Sequence, residues 1–255
     1  MILVIDIGNS DCVFGIYHHQ TLTYHWRIPS SPIPSEEKCL ESLRGVLEKE
    51  RLGINDIRGC CLSSVVESLT LIYQAIFVNI LKKELLVVEP AHFSALKIRV
   101  DSPEEVGTDR LLNALAAFHL YRTALIVIDL GTATTMDVVS SKGEFLGGAI
   151  MTGLKTSMEA LAAKASRLPP IELKAPERII GKNTVESMQS GIIIGYAVMV
   201  DSMSLKIQEE LGFRTKTIAT GGLSSLISPL TANVDHYIGD LTLYGLYLIY
   251  QSQNR

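Results

Sequence analysis

The hydrophobic pattern of the 255-residue chain changes period along its length, and each change marks an element. Residues 2–7 and 11–17 are near-continuous apolar runs, and 21–28 (TLTYHWRI) alternates apolar and polar positions. All three read as strands, the third half-buried. The Pro-rich stretch SSPIPS stops the pattern, and Ser35 is placed to cap a helix over about 36–51, where Cys39, Leu40, Leu43, Val46 and Leu47 recur on one face. A strand near 57–64, a helix near 67–82 and a strand at 85–89 follow. After a helix at about 108–122 the order begins again, with strands near 124–130, 133–140 and 144–150 and a Lys142-Gly143 turn between the last two. Helices at 153–165 and 184–211, strands at 215–220 and 234–238 and a helix from about 241 complete it. The one long loop, RLPPIELKAP at 167–176, is stiffened by its prolines.

The recurrence extends to the residues themselves. ILVIDIGNSDCVFGI (2–16) and LIVIDLGTATTMDVV (125–139) are offset by 123 positions. In each, an apolar strand delivers an Asp (Asp6, Asp129) and a Gly (Gly8, Gly131) into a tight polar turn. Two such turns facing each other suit a metal and a phosphate chain. After each Gly the pattern continues as a strand. A dinucleotide-binding fold requires a helix there, and a phosphate loop requires GK[ST] as well, so neither fits. A β-hairpin with Asp and Gly in its turn is the device of the actin-like ATPases and sugar kinases. The expected fold is α/β: two tandem ribonuclease H-like (actin-like ATPase) lobes, each a mixed five-stranded sheet flanked by helices. The chain has no flexible linker, so the lobes are expected to pack together as 1–107 and 108–255, bridged by the 108–122 helix.

Composition leaves that picture intact and narrows the chemistry. Hydrophobic residues make up 47%, enough for a sizeable core. A net charge of −4 argues against a nucleic-acid binder with a broad basic surface. It also requires an anionic substrate to be drawn in locally, by metal ions, backbone N–H groups or a few placed Lys and Arg. The four cysteines, Cys12, Cys39, Cys60 and Cys61, form no CxxC pair, and GCCLSSVV reads as a strand with small buried thiols. No histidine spacing suits a protein-built zinc site. The opening MILVIDIG lacks a basic segment and carries Asp6, unlike a signal peptide, and GIIIGYAVMV at 191–200 is about half the length of a bilayer span. A cytoplasmic protein with no membrane or nucleic-acid partner is expected.

Five segments carry candidate chemistry. In the first turn, Gly8 permits close backbone approach to a phosphate, Asn9 and Ser10 can donate to phosphate oxygens, and Asp6 can hold Mg²⁺ directly or through water. The same residue types also populate ordinary β-turns. In the second, Thr132, Thr134 and Thr135 offer hydroxyls beside Gly131, although threonine also favours strands. Asp129 there suits a cation, and Asp137 is either a further carboxylate or a plain strand residue. Ala219-Thr220-Gly221-Gly222-Leu223 lets a flat adenine or ribose lie against the backbone, or is a simple strand-to-helix turn. In Glu105-Val106-Gly107-Thr108-Asp109-Arg110, Thr108 is a good N-cap, and the helix dipole favours an anion at Asp109 by roughly 0.3–1 kcal/mol. Chemically, Asp109 with Arg110 pairs a general base with an anchor for an anionic substrate. Asn183 and Glu186 fit a capping box, with a substrate contact from Thr184 as the alternative.

Taken in order, DIGN, EVGTDR, DLGTATTMDVV, GEFLGGAI, GLKTSMEAL, LPP, IGKNT, SMQSG, ATGGL and DLTLYGL span essentially the whole chain. This ordered set resembles the type III pantothenate kinases, of the acetate/sugar kinase, Hsp70 and actin superfamily. The resemblance implies ATP-dependent phosphorylation of pantothenate to 4′-phosphopantothenate, the first step toward coenzyme A. It implies that Asp6, Ile7, Gly8, Asn9, Ser10, Asp11, Cys12 and Val13 bind ATP, with Asp6 near Mg²⁺, and that Thr132 also contacts ATP. Gly107, Thr108, Asp109 and Arg110 then cradle pantothenate, with Asp109 as the catalytic base and Thr184 as a further substrate contact. Asp129 matches a position associated with a monovalent cation, K⁺ or NH₄⁺, and the family implies a homodimer.

Three positions depart from the family pattern. Asn9-Ser10-Asp11 stands for the usual Asn-Thr-Asn and adds charge near the phosphates; Met151-Thr152-Gly153 replaces a Pro-Gly; and Val100 stands about where many members place a Tyr. The competing classes are a kinase for another small hydroxy-acid or sugar, a non-catalytic accessory or regulatory protein on the same scaffold, and a ribonuclease H-like nuclease. The last needs a denser carboxylate cluster.

Overall fold

The computed structural model describes residues 1–253. In chain order its elements are β1 (Ile2–Ile7), β2 (Asp11–His18), β3 (Thr21–Pro29), α1 (Glu36–Lys49), β4 (Gly59–Ser64), α2 (Glu67–Ala75), β5 (Leu85–Val87), β6 (Lys97–Ile98) and α3 (Thr108–Tyr121). They continue as β7 (Leu125–Leu130), β8 (Ala133–Val139), β9 (Glu144–Thr152), α4 (Leu154–Lys164), α5 (Thr184–Gln189), α6 (Gly195–Leu211), β10 (Lys216–Thr220), α7 (Ser224–Ile227), β11 (His236–Tyr237) and α8 (Leu241–Gln253). Two compact units result: Met1–Ala95 with Ser102–Leu112 and the segment from Thr242, and Leu96–Asp101 with Asn113–Leu241.

In the first unit the strand order is β3-β2-β1-β4-β5. The β1–β2 and β2–β3 pairs are antiparallel, and β1–β4 and β4–β5 are parallel. Because side chains alternate along a strand, Leu3, Ile5, Ile7, Cys12, Phe14 and Ile16 all reach one face. There they pack with Cys39, Leu43 and Leu47 of α1 and Leu69 and Tyr73 of α2. Ser35 caps α1 by accepting the Lys38 N–H at 3.4 Å, as the sequence indicates. The other face takes α8. A Cβ on Gly15 would meet Leu243 at 3.0 Å, Tyr17 stacks on Tyr247 at 4.5 Å between ring centroids, and the absent side chain of Gly59 leaves room for the Tyr250 ring. The sequence order assigns α8 to 108–255, but these small-to-large matches group it with the first unit.

The second unit repeats the plan as β11-β10-β7-β8-β9 and adds β6 beside β9. Its sheet therefore has six strands rather than the expected five. The extra strand is formed by edge pairing: the Lys97 and Arg99 N–H groups donate to Gly143 O at 3.1 Å and Phe145 O at 2.8 Å. The β2–β3 and β8–β9 ladders each carry one register shift, at Ile16/Tyr17 and Val138/Val139. One face, with Ile126, Ile128, Leu130 and Met136, packs on Leu154, Ile193, Tyr196, Ala197, Val200 and Ile227. A Cβ on Gly143 would stand 2.6 Å from the Phe118 ring of α3, on the other side of the sheet. The helical run Thr184–Leu211, through α5, a π turn at Ser190–Ile194 and α6, is 28 residues long and apolar enough to cross a bilayer by length and composition. Asp201 on that run accepts the Ala232 and Asn233 N–H groups, both at 2.8 Å, and Tyr196, Ala197, Val200 and Ser204 are buried.

Candidate active site

The first turn is built on the β1–β2 hairpin. Gly8 N–H donates to Asp11 O at 2.9 Å and closes it, and a Cβ on Gly8 would stand 3.3 Å from that same oxygen. Asn9 and Ser10 are exposed, and Asp6 is half-buried opposite Val13 on one side and Ser63 of β4 on the other. Ile7 and Cys12 are each 1% exposed, and their side chains belong to the core. Burial pushes the Cys12 thiol up to about 11, against the pull of the Ser30 hydroxyl 3.3 Å away, so it is protonated at neutral pH. Asp11, the family departure, pairs with Arg27 at 3.1 Å, which offsets its added charge. Ser30 holds the turn from the β3 side: its N–H donates to Ser10 O at 2.9 Å and its hydroxyl to Gly8 O at 2.6 Å.

The second turn is shorter and more crowded. Gly131 N–H donates to Ala133 O at 3.1 Å, while Thr132 O accepts from Gly153 N–H at 3.1 Å and from the Thr156 hydroxyl at 2.8 Å. Any side chain at Gly153 would collide with the Gly131 and Thr132 carbonyls, both 2.3 Å from its Cβ position. Glycine here is a steric requirement of the Met151-Thr152-Gly153 turn. Thr132 itself is exposed. Thr134 is fully buried, with its hydroxyl 2.7 Å from Tyr196 Oη, so it belongs to the packing of the turn. Asp137, 1% exposed, accepts from the Thr135 hydroxyl at 3.1 Å and is a buried strand residue.

Asp129 is oriented from α3. The Asn113 side-chain amide, 1% exposed, donates to Asp129 Oδ2 at 2.9 Å. Its other oxygen lies against Gly221, where φ is +91° and a Cβ would stand 2.4 Å from Oδ1. The positive φ and the contact both require glycine, so the Thr220-Gly221 turn lies against the Asp129 strand. Thr220 pairs with Asp129 across β7–β10, and the two side chains share a face of the sheet. The Thr220 hydroxyl is buried and has no hydrogen-bond partner among the described residues. The Asp129 carboxylate, oriented by the Asn113 N–H, and the unused Thr220 hydroxyl are oxygen groups of the kind a hard cation takes.

Gly107, Thr108, Asp109 and Arg110 lead into α3. Thr108 Oγ1 lies 2.8 Å from Ser63 Oγ, which ties this turn to the β4 residue paired with Asp6. Asp109 Oδ1 accepts the Arg110 N–H at 2.8 Å, and a Cβ at Gly107 would lie 2.5 Å from that oxygen. The carboxylate is therefore held by its own helix start, with the bare glycine making the space. Thr184 opens α5, where Asn183 and Glu186 form the expected capping box: Asn183 Oδ1 accepts the Glu186 N–H at 2.9 Å, and Glu186 Oε2 accepts the Lys182 N–H at 2.8 Å. Thr184 is exposed and lines a cavity of about 540 Å³ with Leu161, Leu168, Ser187, Met188, Gly191 and Ile192. Val100 lies beside β9, its Cγ1 3.5 Å from the Cβ position of Gly147.

Sequence reasoning passed over Ser30, Ser63, Asn113 and Thr156. A signal existed only for Asn113: a polar residue inside the apolar stretch LLNALAA must find a buried partner. Among the described residues no three His, Cys, Asp or Glu side chains cluster as a metal site would need.

The type III pantothenate kinase family matches residues 2–206. The chain belongs to that family. It is similar to the type III pantothenate kinase of Citrifermentans bemidjiense, 43% identical over 251 residues, which is 98% of this chain and 99% of that one. The type III pantothenate kinase of Thermomicrobium roseum is 40% identical over 255 residues, 100% of this chain and 98% of its own. Among solved structures, the inorganic polyphosphate/ATP-glucomannokinase of Arthrobacter sp. strain KM shares the fold, with TM-score 0.51 and 15% identity over 99% of this chain and 98% of that one. Fold and family thus agree with the doubled hairpin.

Proposed function

We propose that this chain transfers the γ-phosphoryl group of ATP to the primary hydroxyl of pantothenate, giving 4′-phosphopantothenate and ADP at the start of coenzyme A synthesis. Its membership of the type III pantothenate kinase family, over nearly its full length, is the observation that carries this reading. Phosphoryl transfer asks a protein mainly for positioning and charge stabilisation. In this reading Asp6 and the backbone of residues 7–13 hold the ATP phosphates, Thr132 contributes from the second turn, and Gly107 to Arg110 with Thr184 seat pantothenate. Asp109 takes the proton of the substrate hydroxyl as its oxygen bonds to the γ-phosphorus and the β–γ bridging P–O bond breaks toward ADP. The Arg110 N–H on Oδ1 fixes the carboxylate for this task, a role typically worth about 10²–10⁴-fold in rate.

Mg²⁺ bound to the nucleotide supplies the charge neutralisation that an acidic protein does not. Asp129 is the residue we assign to a monovalent cation, K⁺ or NH₄⁺, with Asn113 orienting its carboxylate. We also infer a homodimer in the cytoplasm. Val198 (58% exposed) and Leu205 (48%) sit seven positions apart on α6, two turns of one face, and suit burial against a second copy.

Release of ADP with pantothenate, with and without K⁺, tests substrate, reaction and cation together. Asp109→Asn is expected to retain ATP binding and to lose at least about tenfold in kcat. Near-normal turnover in that variant would remove Asp109 from the mechanism.

A further inference from the structure

Two carbonyls of the first turn point at one residue outside the sequence motifs. Ser30 follows β3 and is 3% exposed; its N–H donates to Ser10 O at 2.9 Å and its hydroxyl to Gly8 O at 2.6 Å. The peptide bonds after Gly8 and Ser10 are trans. In a planar trans peptide the N–H points opposite to the C=O of the same unit. Aiming the Gly8 and Ser10 carbonyls at Ser30 therefore aims the Asn9 and Asp11 N–H groups away from it, on the far side of the turn from β3. The Gly8 N–H is already spent on Asp11 O. Two neighbouring amides fixed in advance toward one side form the kind of concavity that receives an anion.

The second hairpin makes the same construction from different residues. There the residue after the third strand, Gly153, donates its N–H to Thr132 O at 3.1 Å, and a hydroxyl from Thr156 meets that oxygen at 2.8 Å. Ser30 and Gly153 are separated by the same 123 positions as the two strand repeats. In each hairpin one backbone N–H and one hydroxyl reach the turn, meeting two carbonyls (Gly8 and Ser10) in the first and the Thr132 carbonyl alone in the second. The same clamp with unlike side chains points to a shared demand on the turns.

We propose that Ser30 is a positioning residue for ATP: its hydroxyl holds the Gly8 carbonyl inward so that the Asn9 and Asp11 amides meet the phosphate oxygens. This rests on the assignment of the first turn to ATP. Ser30 acts through Gly8 and Ser10 and does not itself touch the nucleotide.

The test uses the full-length protein in four forms: wild type, Ser30→Ala, Ser30→Thr and Asp6→Asn. Affinity for a non-hydrolysable ATP analogue is measured by calorimetry, with KM for ATP and for pantothenate, kcat and Tm. Ser30→Ala leaves the Gly8 carbonyl without its side-chain donor and is expected to weaken analogue affinity and raise KM for ATP about five- to thirtyfold. KM for pantothenate should stay within about twofold, and Ser30→Thr, which restores a hydroxyl, should recover most of the loss. If Ser30→Ala does not fold, Ser30→Cys, with a weak donor of similar size, is compared with Ser30→Thr on the same readouts. Nucleotide affinity unchanged in the variant lacking the hydroxyl, or an equal rise in both KM values with lowered Tm and no rescue by threonine, overturns the proposal. Should Asp6→Asn weaken nucleotide binding while Ser30→Ala does not, only the clamp fails. Should neither change it, the ATP assignment of the first turn fails as well.

Discussion

Between β1 and β2 the chain spends three residues, Gly8, Asn9 and Ser10; between β7 and β8 it spends two, Gly131 and Thr132. Both turns follow an Asp on a buried strand and are held by the residue that follows a third strand, yet their surroundings differ. The first is gripped from one side by Ser30 and is otherwise exposed. The second is enclosed by Gly153 and Thr156 on one side, and its Asp129 is held between Asn113 and Gly221. The same hairpin thus yields one turn with a free outer edge and one closed along the flanks formed by Gly153 and Gly221. The first is open to a ligand along its rim, while the second is open at Thr132 and fixed at Asp129.

A methyl group placed in the first turn, at Gly8, and one placed against the flank of the second, at Gly153, separate the two most sharply. Gly153→Ala forces a Cβ to within 2.3 Å of two carbonyl oxygens and should cost about 3 kcal/mol. That corresponds to a fall in Tm of about 6–12 °C for a protein of this size. Gly8→Ala meets only Asp11 O at 3.3 Å and should change stability by under about 1 kcal/mol. Equal losses in the two variants on thermal unfolding would abolish the distinction. At the Asp residues, Asn113→Ala frees the Asp129 carboxylate. It should raise the K⁺ concentration for half-maximal activity about tenfold, the usual scale for losing an orienting partner, with little change in KM for ATP. Any large rise in KM for ATP would make Asn113 part of the nucleotide site instead. The smallest effect is expected on the exposed rim of the first turn. Arg27→Ala uncovers the Asp11 charge and should raise KM for ATP about two- to fourfold at low ionic strength, an effect that fades in 0.5 M salt, where screening is about 4 Å in range. A salt-independent effect would mean that Arg27 contacts the nucleotide directly.

The features legible in the sequence were those whose cause is local. Asp6-Ile7-Gly8 and Asp129-Leu130-Gly131 end apolar runs of strand length, and Ser35 and the Asn183/Glu186 box act within one helical turn. The strands and helices of both units follow from that periodicity. Partners brought together by the fold left weaker traces. The two residues of β6 have no period to read and are strand only because the β9 edge accepts them. In α8 the apolar residues announce burial, but Gly15 and Gly59, far away in sequence, decide which sheet receives them. Ser30 lies in a loop whose composition predicts only a break, and its hydroxyl finds Gly8 across 22 positions. Thr108 and Ser63 meet across 45. Of the candidate site, the motif residues stand out in the sequence, while of those that hold them in place only Asn113 left a trace there.

The grouping of α8 with the first unit also sets a timetable for synthesis. The sheet face that carries Gly15 and Tyr17 is made early, but Leu243 and Tyr247, which cover it, are made much later. At about 5–20 residues per second, the 129 residues Asn113–Leu241 delay closure by roughly 6–26 s. When that interval ends the second unit has all of its own segments, while the first has waited throughout with an apolar face open. A nascent chain stalled before Thr242 should therefore present the first turn on an unfinished scaffold, open to chaperones and proteases that the completed unit no longer meets.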